Sequence, residues 1–258
     1  MQFKSLPLAY FERRDVLLMM GAIKIGVLVS MAISNAMQEY LAETYRLAHY
    51  QQDDPYVSTS ALARVMGVSA PAVTRMVQRL KDAGYLQHEP YQGIRLTADG
   101  ERQALLNIRR HRLVERFLVD VMRLGWHEVH DAADDLGAVV TDKLVARMEQ
   151  MAGFPRRCPH GEPIPSADGV MPQVVDHPLT EAEVGHDYVV SRANSHDEEK
   201  LKYLDTLGIK PGVSVHLVER APFEGPLKLR VGQQTHFIGY AIALVIRVCY
   251  EDQFELRY

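Results

Sequence analysis

The stretch from Ser58 to Thr97 constrains the fold more than any other part of this chain. STSALARVMG reads as a short amphipathic helix closed by Gly67, and VSAPAVTRMVQRLKDAG reads as a second helix beginning one turn later. In the second, Ser69 is placed to cap, Pro71 falls in the first turn where no amide donor is missed, and Gly84 ends the helix. Val73, Met76, Val77 and Leu80 recur at helical spacing and form its buried stripe. YLQHEPYQGIRLT then switches to strand character around a Pro-Tyr-Gln-Gly turn, the mark of a small hairpin.

Two helices joined by a short glycine turn and followed by a hairpin form the arrangement of a winged helix-turn-helix. Its second helix enters the major groove of DNA and its hairpin touches the backbone. Charge agrees with this reading. Between Ser58 and Arg116 there are ten Lys and Arg against five Asp and Glu, a local excess of +5 in a chain whose net charge is −4. Such asymmetry is an electrostatic footprint for phosphate, and it makes any nucleic-acid surface local rather than global. On the second helix the expected DNA-facing residues are Ser69, Ala70, Pro71, Thr74, Arg75, Gln78 and Arg79.

Around this unit the rest of the chain falls into place. MQEYLAETYRLAHY is helical, with Tyr40, Leu41, Tyr45 and Leu47 on one face, until Pro55 in QQDDPY breaks the pattern. Thr97 is placed to cap a long helix, ADGERQALLNIRRHRLVERFLVDVMRLG, and a further helical stretch runs from His127 to about Met151. There Val129, Leu136, Val139, Val140, Leu144 and Met148 make an apolar face broad enough to predict a two-fold homodimer. Prolines at 155, 159, 163, 165, 172 and 178 read as a linker over residues 153–180. From Glu181 onward short strands surround one helix, Glu198 to Leu207, which is the composition of a small β-barrel. The expected fold class is mainly α with a small β domain. With 47% hydrophobic and 24% charged residues, a disordered tail or a collagen is excluded. Two cysteines, Cys158 and Cys249, are too few for a disulfide framework and fit a reducing compartment.

The N-terminus carries an apolar run, Val16 to Ser34, preceded by Arg13 and Arg14. Two readings stay open: a membrane or signal segment, or a packed helix or extension with translation starting at Met31 or Met37. Lys24 within the run costs about 3 kcal/mol on insertion scales, and no clear A-x-A cleavage site follows.

His111 and Glu115 stand at i and i+4 of one helix, so both leave the same face, and His130 lies on the next helix. Imidazole with carboxylate suits Mn, Fe, Co or Zn rather than Cu(I), although such a pair is also common on a solvated face. A hydrolytic metalloenzyme would need a nucleophile or base beside an open coordination position, and the chain carries no HExxH or nucleophile motif.

Together QEYLAETYRL, VSAPAVTRMVQRLKDAGYL with its wing, RRHRLVERFL, EVHDAADDL, CPHGEPIP, LKYLDTLGIKPG and THFIGYAIA resemble the diphtheria-toxin-repressor family of metal-dependent regulators, which includes the manganese transport regulators. The resemblance spans roughly Met37 to Val248. It implies a winged helix DNA-binding domain (37–100), a helical dimerisation and metal-binding domain (101–152), a linker (153–180) and an SH3-like barrel (181–258), with residues 1–36 as an extension. It also implies a cytoplasmic homodimer that binds operator DNA when Mn(II) or Fe(II) is present, with no small-molecule substrate and no catalysis. Ser69, Pro71 and Arg75 match its base-facing positions. His111, Glu115 and His130 match one metal site, completed by an acid of the barrel, here Asp197, with His196 or Glu198 as substitutes. A second site keeps Glu39 and Asp134, but Gly137 and Ala138 stand where the family has an acid and a histidine. Cys158 matches a cysteine that ligates metal in some relatives. That departure keeps a second reading in view, a winged-helix regulator with a non-metal trigger.

Overall fold

The computed structural model describes residues 33–50 and 54–256. The expectations for the N-terminal extension therefore lie outside the described residues, apart from Ile33 to Ala36. Among the described residues no helix is long and apolar enough to cross a membrane.

Helix α1 (Asn35–Tyr50) packs against α2 (Thr59–Met66) and against the long α4 (Ala98–Asp120), burying Met37, Tyr40, Leu41 and Ala42. Ser58 caps α2 by accepting from the Ala61 amide at 3.1 Å, and Gly67 closes it in the left-handed conformation with φ 63°. Helix α3 (Ala70–Asp82) follows at once, with Val73, Val77 and Leu80 buried. The cap expected of the Ser69 hydroxyl is not made. Instead the Ala72 and Val73 amides donate to the Ser69 carbonyl, which leaves the hydroxyl exposed. Strands β1 (Leu86–Glu89) and β2 (Gly93–Leu96) pair antiparallel from Leu86↔Leu96 to Glu89↔Gly93, and Val57 bridges Ile94 to anchor the hairpin.

Thr97 caps α4 through the Gly100 amide. The helical stretch expected after His127 is two helices, α5 (Val129–Val139) and α6 (Asp142–Met151). The break follows from Thr141, which caps α6 through the Leu144 amide while Val140 turns to an extended ψ of 142°.

The C-terminal region is a six-stranded antiparallel sheet of order β3-β8-β4-β5-β6-β7. Its strands are β3 (His177–Pro178), β4 (Asp187–Ala193), β5 (Ser214–Arg220), β6 (Leu227–Val231), β7 (Gln234–Ile238) and β8 (Ile246–Cys249). Helices α7 (Glu198–Thr206) and α8 (Tyr240–Ala243) lie between β4 and β5 and between β7 and β8. Register shifts at Val190/Arg192 and Leu217/Glu219 bend the sheet. It curls around Leu179, Tyr188, Val190, Leu201, Leu204 and Leu217, and Trp126 from the turn between α4 and α5 enters the same core.

Residues 153–180 do not behave as a linker. Cys158 to Gly161 and Pro163 to Pro165 are buried. Prolines give up amide donors, but their carbonyls need partners, and arginines supply them: Arg109 donates to Pro165 O at 2.7 Å, Arg112 to Pro163 O at 2.5 Å and Arg157 to Gly161 O at 2.7 Å. Composition alone reads as loop because the Arg109 and Arg112 partners lie 56 and 51 positions away in the sequence.

Candidate metal centre

Helix α4 buries an apolar stripe that includes Ala104, Leu105, Ile108, Leu113, Val114 and Leu118. Glu115 lies on that buried side and is only 2% exposed. A carboxylate in such a place must be paired. Three imidazoles do so, and all reach the same oxygen. His111 Nε2, His130 Nδ1 and His160 Nδ1 lie 3.2, 3.3 and 3.4 Å from Glu115 Oε1. His111 comes from one turn earlier on α4, His130 from α5, and His160 from the buried CPHGEPIP segment.

Outer contacts fix the rings. His160 Nε2 is 2.8 Å from the Trp126 carbonyl, so that nitrogen carries a hydrogen. His111 Nδ1 is 2.9 Å from Asp134 Oδ1, and the His111 and His130 rings meet edge to face with centroids 4.9 Å apart. Burial disfavours charge on His111, yet the Asp134 and Glu115 carboxylates outweigh it and raise its pKa to about 9. Burial would push Glu115 up, but His111, His130 and His160 hold it well below the ordinary carboxylate range.

This arrangement fits a first-row divalent ion. His111, Glu115 and His130 offer ligand atoms within 4.8 Å of one another, and so do Glu115, Cys158 and His160. His111 Nε2 is buried and, although 3.2 Å from Glu115 Oε1, makes no well-formed hydrogen bond, so a ring nitrogen stands unsatisfied within the cluster. The two sets share Glu115, but they are not equal. Burial and the neighbouring Glu115 raise the Cys158 thiol, which must lose its proton before it can ligate. A cavity of about 460 Å³ opens on the cluster, lined among others by Arg46, His111, Glu115, His130, Cys158 and His196.

Of the residues expected from sequence, His111, Glu115 and His130 come together. Asp197 does not join them. It sits at the N-cap of α7, where Oδ1 accepts from the Glu199 and Lys200 amides at 3.1 and 3.2 Å and Oδ2 pairs with Lys200 Nζ. Capping turns its carboxylate away, and the preceding residue, His196, faces the cluster instead. Asp134, expected at the second site, touches His111 of the first. Glu39 lines an adjoining cavity with Glu43, Arg46 and Asp134, and burial together with the Asp134 charge raises its carboxyl. Near Gly137 and Ala138 the contact is a protein hydrogen bond: Asn35 Nδ2 donates to Ala138 O at 2.6 Å. His160 was missed by sequence reasoning. Its signal was the position two residues after Cys158.

Ser69 at the N-cap of α3 and Ala70, Pro71, Thr74, Arg75, Gln78 and Arg79 on it are all exposed, and none of the buried stripe is among them.

Three family models match the chain. The N-terminal DNA binding domain of the iron dependent repressors covers residues 32–94, and the metal binding and dimerisation domain of the same proteins covers 97–166. The FeoA domain covers 177–249. Among solved structures, a manganese-dependent transcriptional repressor in complex with manganese is 34% identical, with 83% of this chain and 99% of that chain covered and a TM-score of 0.75. ScaR with bound Cd2+ is 28% identical, with the same 83% and 99% coverage and a TM-score of 0.67. The diphtheria toxin repressor of Corynebacterium efficiens is 27% identical over 189 residues, covering 69% of this chain and 81% of that protein.

Proposed function

Because the chain belongs to the iron-dependent repressor family, that of the diphtheria toxin repressor, we propose that it is a homodimeric repressor of metal-ion transport genes that binds operator DNA in response to Mn(II) or Fe(II). Members of this family are transcriptional repressors, not enzymes. The observation that carries the metal half of the reading is the convergence of three imidazoles on one buried oxygen of Glu115.

His111, Glu115 and His130 would hold the ion, with His196 facing them from the C-terminal sheet and Cys158 and His160 sharing Glu115 on the other side. Bound there, Mn(II) or Fe(II) supplies a fixed double positive charge where the metal-free cluster relies on protonated imidazole. In the metal-free chain His111 spans Asp134 of α5 and Glu115 of α4, so its protonation state decides how strongly those helices attract. Through α1, which packs on α2 and α4, the arrangement of the helical region (101–152) sets how the winged helix region (37–100) presents α3. Two copies joined through α5 and α6 would bring two recognition helices to a two-fold operator. The setting is the cytoplasm, where Cys158 and Cys249 stay as free thiols.

A palindromic operator selected from random duplexes should bind at least ten-fold tighter with Mn(II) or Fe(II) than with chelator. Equal affinity in the two conditions overturns the metal-dependent reading. It would favour the second one, a regulator with a non-metal trigger, which the Asn35–Ala138 hydrogen bond supports by joining α1 to α5 without an ion.

A further inference from the structure

Among the described residues, outside the metal cluster, three arginines and two acids form one continuous chain of ion pairs. Arg112, next to His111 on α4, donates through Nη2 to Glu162 Oε2 at 3.2 Å. Arg192 Nη1 reaches Glu162 Oε1 at 3.1 Å from the other side. Arg192 then grips Asp176 with two nitrogens, Nε on Oδ2 at 2.7 Å and Nη2 on Oδ1 at 2.9 Å. Arg247 Nε completes the run on Asp176 Oδ1 at 2.5 Å, and Ser191 Oγ donates to Oδ2 at 2.8 Å. Asp176 thereby has both oxygens doubly satisfied, and its side chain is 1% exposed.

The order of charges along this ladder is positive, negative, positive, negative, positive. It begins on the helix that carries His111 and Glu115, passes through the segment that carries Cys158 and His160, and ends on the sheet. Arg192 of β4 and Arg247 of β8 are direct cross-strand partners, a pairing of like charges that destabilises a sheet unless an acid is shared between them. Asp176 is that acid. Glu162 performs the same task between Arg112 and Arg192. Removing one member of such a buried set leaves an uncompensated charge, so its geometry is enforced.

We propose that the ladder Arg112–Glu162–Arg192–Asp176–Arg247 holds the Cys158–His160 segment and the C-terminal sheet against α4 whether or not metal is bound, which makes Glu162 the positioning residue of the metal centre. Metal is then not what recruits the sheet to the helical region; the sheet is already docked, and Glu162 sets where the segment's donors stand relative to Glu115. The positioning half rests on the metal-site reading given above, whereas the docking half does not.

The test is hydrogen exchange on the full chain with chelator, followed by titration with Co(II). The reporters are the amides of Cys158, Gly161, Ile164 and Ala193, whose acceptors are the Glu162, Cys158, Arg156 and His160 carbonyls. In chelator the wild-type amides should exchange within about three-fold of their rate with Co(II). In Glu162→Gln, which keeps the shape and removes the charge, they should exchange at least ten-fold faster, with the Leu217 amide on β5 unchanged. Co(II) should bind that variant about ten-fold more weakly, with altered visible absorption. Exchange in wild type that is more than ten-fold faster without metal than with it overturns the docking claim. Glu162→Gln indistinguishable from wild type in both readouts overturns the positioning claim. If that variant does not fold, the wild-type comparison still decides docking, and Arg112→Lys, which keeps the charge and cannot reach both Glu162 Oε2 and the Pro163 carbonyl as the guanidinium does, decides positioning by the same amides. A wild-type chain that binds no Co(II) yet keeps the segment protected refutes the metal-site reading and leaves the ladder standing.

Discussion

His196 lies over His130 with ring centroids 4.0 Å apart and planes 24° from parallel. The contact joins the loop after β4 to α5, so the sheet reaches the metal cluster through an imidazole. Burial, His130 and Arg46 together lower the His196 pKa to about 4, so at neutral pH the ring is uncharged and its lone pair is available.

His196→Ala should therefore weaken Mn(II) binding about ten-fold, as expected for an outer ligand or support. Asp197→Ala, one residue on, should leave Mn(II) affinity within two-fold of wild type and lower the melting temperature, because its carboxylate caps α7. Calorimetric titration and thermal melts on the two variants separate these roles. The reverse ranking would restore Asp197 as the ligand.

With His111 as a proposed ligand, metal binding is expected to displace its proton. With a pKa raised to about 9 by Asp134 and Glu115 against burial, His111 is protonated at neutral pH in the metal-free chain. Mn(II) affinity should climb with pH up to about 9 instead of levelling near the ordinary value of 6.5, and about one proton should be released from His111 per ion at neutral pH. The sign for stability is opposite. The raised pKa contributes stability to the metal-free fold that is complete below 6.5 and is lost as pH rises through about 9, so chelated protein should melt earlier above pH 9 than at pH 7. Titrations in buffers of different ionisation heat measure the proton count; a count of zero contradicts the assignment.

Local patterns were legible in the sequence and long-range ones were not. Gly67 and the apolar spacing of Val73, Val77 and Leu80 placed the two short helices, because caps and periodicity depend on residues within a turn. His111 and Glu115 were legible for the same reason, being one turn apart. Nothing local revealed that His160, 45 positions after Glu115, closes on the same oxygen, or that Glu162 and Asp176 anchor arginines from three segments. Asp197 was misplaced because an acid at a helix start has two uses, and capping took precedence over reaching the cluster.

Gly161 shows how narrowly the CPHGEPIP segment fits. Its φ is 88°, and a Cβ there would lie 2.2 Å from the Ser191 carbonyl oxygen. Gly161→Ala should destabilise the fold by at least the 1–3 kcal/mol of a strained left-handed residue, and should weaken metal binding by moving Cys158 and His160. Gly153→Ala is the control. It shares a positive φ of 78°, but its Cβ would meet nothing within 4 Å. Denaturant melts should show a clearly larger loss at 161 than at 153.

Of the residues expected on the dimer face, Val139 is 76% and Leu144 52% exposed on α5 and α6, joined by Met151 at 50%, whereas Val129 and Val140 are buried within the subunit. Apolar side chains this exposed on a matched dimerisation domain should be covered by a second copy. Leu144→Glu should shift the chain from dimer to monomer in sedimentation at micromolar concentration without changing its melting temperature much. A wild-type chain that sediments as a monomer with and without metal refutes this interface.

Arg75 and Arg95 should contribute to DNA binding in different ways. Arg75 is exposed on the first turns of α3, on the face left free by Val73 and Val77, where a guanidinium can pair with guanine through two hydrogen bonds. Arg95 is exposed on β2 of the wing, with its guanidinium 5.7 Å from the centre of the Tyr56 ring, a position suited to phosphate rather than to a base edge. Arg75→Ala should cost about 1–3 kcal/mol on the selected operator and relax preference at one base pair, with little effect on random duplex. Arg95→Ala should weaken binding to operator and random duplex alike and reduce the slope of log affinity against log salt by about one. Fluorescence anisotropy over a salt series, with the operator and a scrambled duplex of the same length, measures both quantities. If Arg75→Ala lost affinity equally on the two duplexes while Arg95→Ala discriminated between them, the wing and not α3 would be reading the sequence.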